Sequence, residues 1–215
     1  QFITDFARTY KAKHSFHLLR HLADEYGRLI DYCDQLGETS INLPACLANL
    51  GRVLQQLDRH AEATRRYREA LELYQEQNDA AGAAEQYANL ASAHEATGQL
   101  AEAIEELEEA AKLDQQAGNH PGLAADWNNL GILCQQLGQP ERALQHHQQA
   151  LQLHERLGNS VGCANQLANM AAIHRQLGNL DEARDCYQRA WRLDAQVSPT
   201  PAQVADLCNL GLIFE

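Results

Sequence analysis

The sequence predicts an all-α array of antiparallel helical hairpins, and three recurring features predict it. An asparagine returns at Asn49, Asn89, Asn129, Asn169 and Asn209, always 40 residues apart, inside related stretches such as LANLGRVLQQL, YANLASAHEAT, WNNLGILCQQL and LANMAAIHRQL. A turn signal follows each complete stretch, at Asp58-Arg59, Gly98-Gln99, Gly138-Gln139 and Gly178-Asn179, where a residue in the left-handed conformation can end a helix. Beyond each turn runs a second helical segment with its own alanine spacing, AEATRRYREALEL, AEAIEELEEAAKL, ERALQHHQQALQL and DEARDCYQRAWRL. Self-similarity at such a period is the mark of a stacked-repeat architecture.

The elements follow in order. Residues 1–39 precede the regular array: YKAKHSF puts Lys11 where a small residue belongs, and Leu18 stands in place of the turn glycine. Phe2 to Gly37 is therefore read as two helices of a degenerate or capping hairpin. Residues 40–215 form the array, with units at about 40–79, 80–119, 120–159 and 160–199 and a partial unit at 200–215. In the first helix of a unit, Leu47, Leu50, Leu54 and Leu57 share one apolar stripe, as do Trp127, Leu130, Cys134 and Leu137. A small residue beside the stripe, Gly51, Ala91, Gly131, Ala171 or Gly211, lets the partner helix approach closely. On the second helix Ala63, Ala103, Ala143 and Ala183, then Ala70, Ala110, Ala150 and Ala190, do the same, with Tyr67, Leu107, His147 and Tyr187 filling the space between. Acidic residues open the second helices, as the helix dipole favours. Asn78, Gly118 and Gly158 mark their ends, and Pro121 and Pro201 sit where the next helix begins.

Charge and composition narrow the function. A net charge of −12 disfavours nucleic acid and anionic membranes, because the summed field repels both. No run of about 18 apolar residues predicts a membrane span. The six cysteines form no C-x-x-C pair and no regular framework, which fits a reducing cytoplasm. The chain begins at Gln1 without a methionine and stops inside an unfinished repeat, and is read as a piece of a longer protein.

A large residue, then leucine and a small residue three and four places on, then alanine, an aromatic and alanine in the second helix, resembles the tetratricopeptide repeat. The resemblance covers roughly Ser40 to Glu215. That family's usual period is about 34 residues, so 40 is a departure. The longer form with Asn-Leu-Gly looks like the repeats of Leu-Gly-Asn-type adaptors, of kinesin light chain to a lesser degree, and of bacterial multidomain sensors. The resemblance implies a right-handed superhelical solenoid whose concave groove holds a peptide.

Each asparagine is adjacent in sequence to a core leucine and so points about 100° away from it. Its stripe contains Asn49, Arg52 and Gln56; Glu85, Asn89 and Ser92; Asn129, Ile132 and Gln136; Asn165, Asn169 and Gln176; and Asn209. The resemblance implies that this face lines the groove, where an amide ladder would match the donor and acceptor of a peptide group. Arg52, Glu85, Glu95, Ile132 and Arg175 would then add selectivity. The competing reading is that each asparagine only bonds the neighbouring repeat. A two-carboxylate clamp for chaperone tails is not expected, since the groove stripes carry no lysine.

Other patterns read as structural. His14, His17 and His21 share a face, which reads as a solvated surface and not a metal site. His94 and His174 read as core histidines bonded to backbone, and the acidic run Glu102 to Asp114 as a solvated face. No nucleophile elbow, phosphate loop or H-E-x-x-H is present in the sequence. The expectation is a non-enzymatic module, without cofactor or metal, that binds an extended or helical peptide of a protein partner. Two alternatives stand beside it: a sensor segment of a larger effector, and self-association through the N-terminal unit.

Overall fold

A computed structural model describes residues 2–36 and 42–194. Among the described residues all regular structure is helical: α1 Phe2–Leu36, α2 Leu43–Gln56, α3 His60–Glu76, α4 Ala80–Ala96, α5 Leu100–Ala117, α6 His120–Gln136, α7 Pro140–Arg156, α8 Ser160–Gln176 and α9 Leu180–Asp194. The chain divides into two compact units, residues 1–113 and 114–215.

The helices end as the turn residues dictate. Gly98, Gly138 and Gly178 have φ of 78°, 69° and 78°, and Asp58 takes the same left-handed conformation at 59°. In each case the next residue's N–H reaches back five positions, as in Gln139 N to Cys134 O at 2.9 Å, which satisfies a carbonyl the helix would leave open. The turns after α3, α5 and α7 go further. Asp79, Asn119 and Asn159 each close one helix through the backbone and open the next by accepting from Gly82, Gly122 and Gly162 N–H at 2.9, 3.3 and 2.9 Å. Those glycines have no room for a side chain: a Cβ at Gly82 would lie 2.3 Å from Tyr74 Cδ1, and one at Gly162 2.4 Å from His154 Nδ1.

In the first unit α1 packs on α2, and α3 lies against both α2 and α4. The core joins Ala23 and Ile30 of α1 to Leu47, Leu50 and Leu54 of α2 and to Ala63, Tyr67 and Ala70 of α3. Tyr67 is fully buried against Gly51, where a Cβ would sit 2.5 Å from its ring. Gly51→Ala is expected to cost about 1–3 kcal/mol by overpacking, less the roughly 1 kcal/mol that alanine returns to a helix interior. Urea melts of the variant would show this as a lower midpoint at unchanged slope; a midpoint equal to that of the parent would refute it.

In the second unit α6 pairs with α7 and α8 with α9, and α7 packs on α8. One cluster there holds Leu151, Cys163, Leu167, Met170, Ala171, Tyr187 and Ala190. All eight alanines of the second-helix signature are at 0% exposure, which bears out the small-against-large packing.

Four expectations are corrected. Phe2 to Gly37 is not a hairpin: α1 runs unbroken from Phe2 to Leu36, because with leucine in place of the turn glycine nothing stops the helix. Leu137, placed on the core stripe, is 39% exposed at the C-terminal cap of α6. The acidic run is only partly solvated: Glu102, Glu105 and Glu109 face outward, but Asp114 is 4% exposed. The backbone bond expected of His94 and His174 is not made by Nδ1 of either: that atom has no hydrogen-bond partner, and in His94 it lies 3.9 Å from Glu106 Oε1. His17 and His21 are exposed, and among the described residues no cluster of three or more His, Cys, Asp or Glu could hold a metal ion.

Candidate functional site

The asparagine stripe stands at the accessible side of the first helices, outside the apolar core. In the first unit Asn49 and Asn89 are half-buried, with Arg52, Gln56, Glu85 and Ser92 exposed around them. Asn49 Oδ1 accepts from Arg52 Nη2. Asn89 Nδ2 donates to Gln86 Oε1 at 3.2 Å, and Gln86, wholly buried, is itself anchored by donating to Gly82 O at 3.3 Å. Two contacts join α2 to α4 on this side: Gln55 Nε2 donates to Ser92 Oγ at 2.9 Å, and Arg52 lies 3.9 Å from Glu85. The latter pair is exposed at both ends and contributes little to stability.

In the second unit Asn129, Ile132, Gln136, Asn165, Arg175 and Gln176 are exposed and Asn169 is half-buried. Gln135 Nε2 donates to Gln176 Oε1 at 3.0 Å, linking α6 to α8. A longer chain of amides reaches from the core to this face. His147, fully buried, sits 2.8 Å from Gln166 Oε1 through Nδ1; Gln166 Nε2 donates to Asn128 Oδ1 at 2.9 Å; the same oxygen accepts from Asn169 Nδ2 at 3.3 Å; and Asn128 Nδ2 donates to Asn129 Oδ1 at 3.3 Å. Because Gln166 presents its carbonyl to His147, the ring carries its proton on Nδ1. Burial holds His147 below the usual histidine pKa, with the Gln166 bond opposing the shift. Of the four described ladder residues, Asn169 thus bonds the adjacent repeat while Asn49, Asn89 and Asn129 bond their own helix. Asn209 lies outside the described residues.

Sequence reasoning missed Gln86, Asp126 and Gln166, each three residues before a ladder asparagine and each buried. The signal was a polar residue at a 40-residue spacing, with Cys46 in the first slot. It also missed a two-repeat alternation: Gln86, Ala91 and His94 return 80 residues later as Gln166, Ala171 and His174, whereas Gly51 returns as Gly131. Asp126 departs from its neighbours. It is 4% exposed, its Oδ2 has no hydrogen-bond partner, and burial, aided by Asp114, pushes its pKa up to about 7.

Two cavities lie elsewhere. One of about 590 Å³ in the second unit is lined by Leu144, Gln145, His146, Gln149, Met170 and His174; one of about 400 Å³ in the first mixes Asp24, Arg28, Asp31, Arg59, Glu62 and Arg66. Neither contains a ladder residue. Among the described residues no helix is long and apolar enough to cross a membrane.

Two family models, both described as tetratricopeptide repeat, match residues 80–156 and residues 45–76 with 163–193, together more than half of the chain. No curated protein sequence matches it. Among solved structures, BtubC (BKLC) from P. vanneervenii is similar at TM-score 0.77 and 23% identity, over 91% of this chain and 83% of that one. The apo form of RapI reaches TM-score 0.83 at 15% identity over 93% of this chain, which spans only 55% of RapI. A Podosopora anserina putative kinesin light chain with nearly identical TPR-like repeats gives TM-score 0.71 at 17% identity, over 91% and 95%. At these identities the likeness shows the fold: helical hairpins repeated in tandem.

Proposed function

The chain belongs to the tetratricopeptide repeat family, and we propose that it is a protein-interaction module that binds an extended or helical peptide segment on its asparagine-bearing face. The observation that supports this most is the placement of Asn49, Asn89, Asn129 and Asn169 outside the core, each with amide capacity left after the bond it makes within the fold, among small, polar and mostly uncharged neighbours. A peptide backbone offers one donor and one acceptor per residue, and amides complement both without reading the side chains. Arg52, Glu85, Ile132 and Arg175 flank the asparagines and would supply side-chain preference, with Gln56, Ser92, Gln136, Asn165 and Gln176 widening the polar floor.

In this reading the chain binds and does no chemistry. Affinity is measured by calorimetry with a peptide selected from a displayed random library. Asn89→Ala and Asn129→Ala should each weaken binding by about 1 kcal/mol, the net worth of one hydrogen bond, and together roughly additively. Melting temperatures should stay within a few degrees of the parent. Unfolding of the double variant would instead assign the ladder to stability.

A second reading makes the array the sensing segment of a larger effector. The gene's full open reading frame decides between them, since an effector domain beyond either end would support it. Residence in the cytoplasm fits both readings, and cell fractionation tests it.

A further inference from the structure

The arginines of the charged cavity in the first unit are all engaged: Arg28 donates to Glu25 at 2.8 Å, Arg59 to Glu62 at 2.6 Å and Arg66 to Glu69 at 2.7 Å. A smaller cavity in the second unit, of about 290 Å³, is built differently. It lies between the N-terminal half of α6, where His120 borders it, and the C-terminal half of α7. Buried Leu123 and Leu153 and half-buried Trp127 give it apolar walls, and Gln115, Gln149 and Gln152 give it amides. Its fixed cation is Arg156, which makes no hydrogen bond or ion pair among the described residues. No carboxylate lines the cavity, and Glu155, adjacent to Arg156 in sequence, points about 100° away from it. In a chain with 29 acidic residues against 17 basic ones, a cavity holding a cation and no acid is not the average surface. Nor does it belong to the repeat template: Glu76 and Gln116 stand at the register position of Arg156, and Leu47, Tyr87 and Leu167 at that of Trp127.

We propose that this cavity binds a small aromatic monocarboxylate, with Arg156 taking the carboxylate and Trp127, Leu123 and Leu153 taking the ring. The site is separate from the asparagine face, none of whose residues lines it. A guanidinium meets a carboxylate through two parallel N–H···O bonds, and the N–H groups of Gln149 and Gln152 serve the lone pairs that remain. One fixed positive charge matches one negative charge, whereas a doubly charged phosphate would bring in a second charge with no second fixed cation to meet it. The helix dipoles do not decide the sign, since the N-terminal end of α6 and the C-terminal end of α7 both border the cavity and oppose each other. Its volume of about 290 Å³ stands at the low end of ligand pockets, which run from about 300 to 1,000 Å³, so it suits a ring with a short acidic arm. Such a ring gains offset or edge-to-face contact with the Trp127 indole beyond the area it buries.

The test uses the whole chain carrying Trp191→Phe, which leaves Trp127 as the sole tryptophan, and follows its emission as phenylacetate is added. The emission should saturate with a dissociation constant below about 1 mM, a modest demand on a ligand of about ten non-hydrogen atoms. Phenylacetamide, of the same shape but neutral, should bind at least about tenfold more weakly, because hydrogen bonds to a charged group are the stronger kind. Arg156→Gln should bring phenylacetate down to the level of the amide and leave the amide unchanged. Arg156→Lys, which keeps the charge and loses the fork, should fall between. Arg156 is exposed, so both variants should melt as the parent does. Calorimetry with Trp191 in place should give the same order. No saturation by about 10 mM, equal binding of acid and amide, or a phenylacetate affinity indifferent to Arg156→Gln overturns the assignment. Tighter binding of phenyl phosphate than of phenylacetate overturns it too, by making this a phosphate site.

Discussion

Replacing Asp126 by asparagine is expected to raise stability by up to about 4 kcal/mol at pH 8, and by progressively less as the pH falls toward 4. An ordinary aspartate ionises near 3.8, but the folded chain holds the Asp126 carboxyl to about 7, first because it is buried and second because Asp114 lies near it. Between those two values the unfolded chain has released a proton that the folded chain keeps. Stability therefore falls as pH rises from about 4 to 7, and above 7 the loss is complete. Asparagine has no such proton, and it has a precedent in this fold: the same register slot holds the buried amides Gln86 and Gln166 in two other repeats.

The neighbouring carboxyl of Asp114 adds to the cost of the ionised form. Asp114, also buried, has its own pKa raised by burial, although Asn119 Nδ2 at 2.9 Å partly offsets this. The histidines oppose the trend. Burial depresses His147, His154 and His94, so their contribution is present above their usual 6.5 and is lost as the pH falls through the depressed values. In the parent chain the two effects thus oppose each other between about pH 4 and 7. Asp126→Asn should unmask the histidine side as a steady loss below pH 6.5. Chemical denaturation of both proteins at pH 8 and pH 5 reads the difference; equal stabilities at pH 8 would show that the carboxylate is compensated in the fold.

How far the sequence could foresee this depends on what each feature needs. The hairpin ends were legible because Gly98, Gly138 and Gly178 act locally: a left-handed residue ends a helix whatever surrounds it. The alanine signature was legible because its period alone puts Ala63 and Ala70 on one face. Asp126 was not, since a polar residue three before the asparagine is exposed or buried according to the helix packed against it. His147 was read as space-filling and proved to be the buried end of the amide chain, while His94 and His174, read as backbone-bonded, have an unpartnered Nδ1. Exchanging partners among histidines is a tertiary choice that spacing does not encode. The hairpin expected before Ser40 failed for the opposite reason: a repeat template was extended over a segment that lacks the local stop it requires.

Tyr67→Ala is expected to cost about 3–5 kcal/mol, the usual cost of deleting a large ring from a packed core. Tyr67 has 0% exposure, its ring fills the space over Gly51, and burial pushes its phenol up to about 12. The hydroxyl nevertheless finds a partner, donating to Gln55 Oε1 at 3.0 Å. Gln55 in turn donates to Ser92 on α4 at 2.9 Å, on the side where Asn49 and Asn89 stand. Two losses are therefore separable. Tyr67→Phe keeps the ring and frees Gln55, and should cost only about 1 kcal/mol. Tyr67→Ala adds the cavity. In repeat proteins stability is approximately a sum of each repeat and its neighbouring interfaces, so the loss should be local. Hydrogen exchange in Tyr67→Ala should quicken most in α2 and α3, which meet at this ring, and least in α8 and α9, whose core has its own tyrosine, Tyr187. A uniform rise in exchange across all these helices would mean that the chain unfolds as one cooperative body, and the local account of the Tyr67–Gly51 contact would be lost.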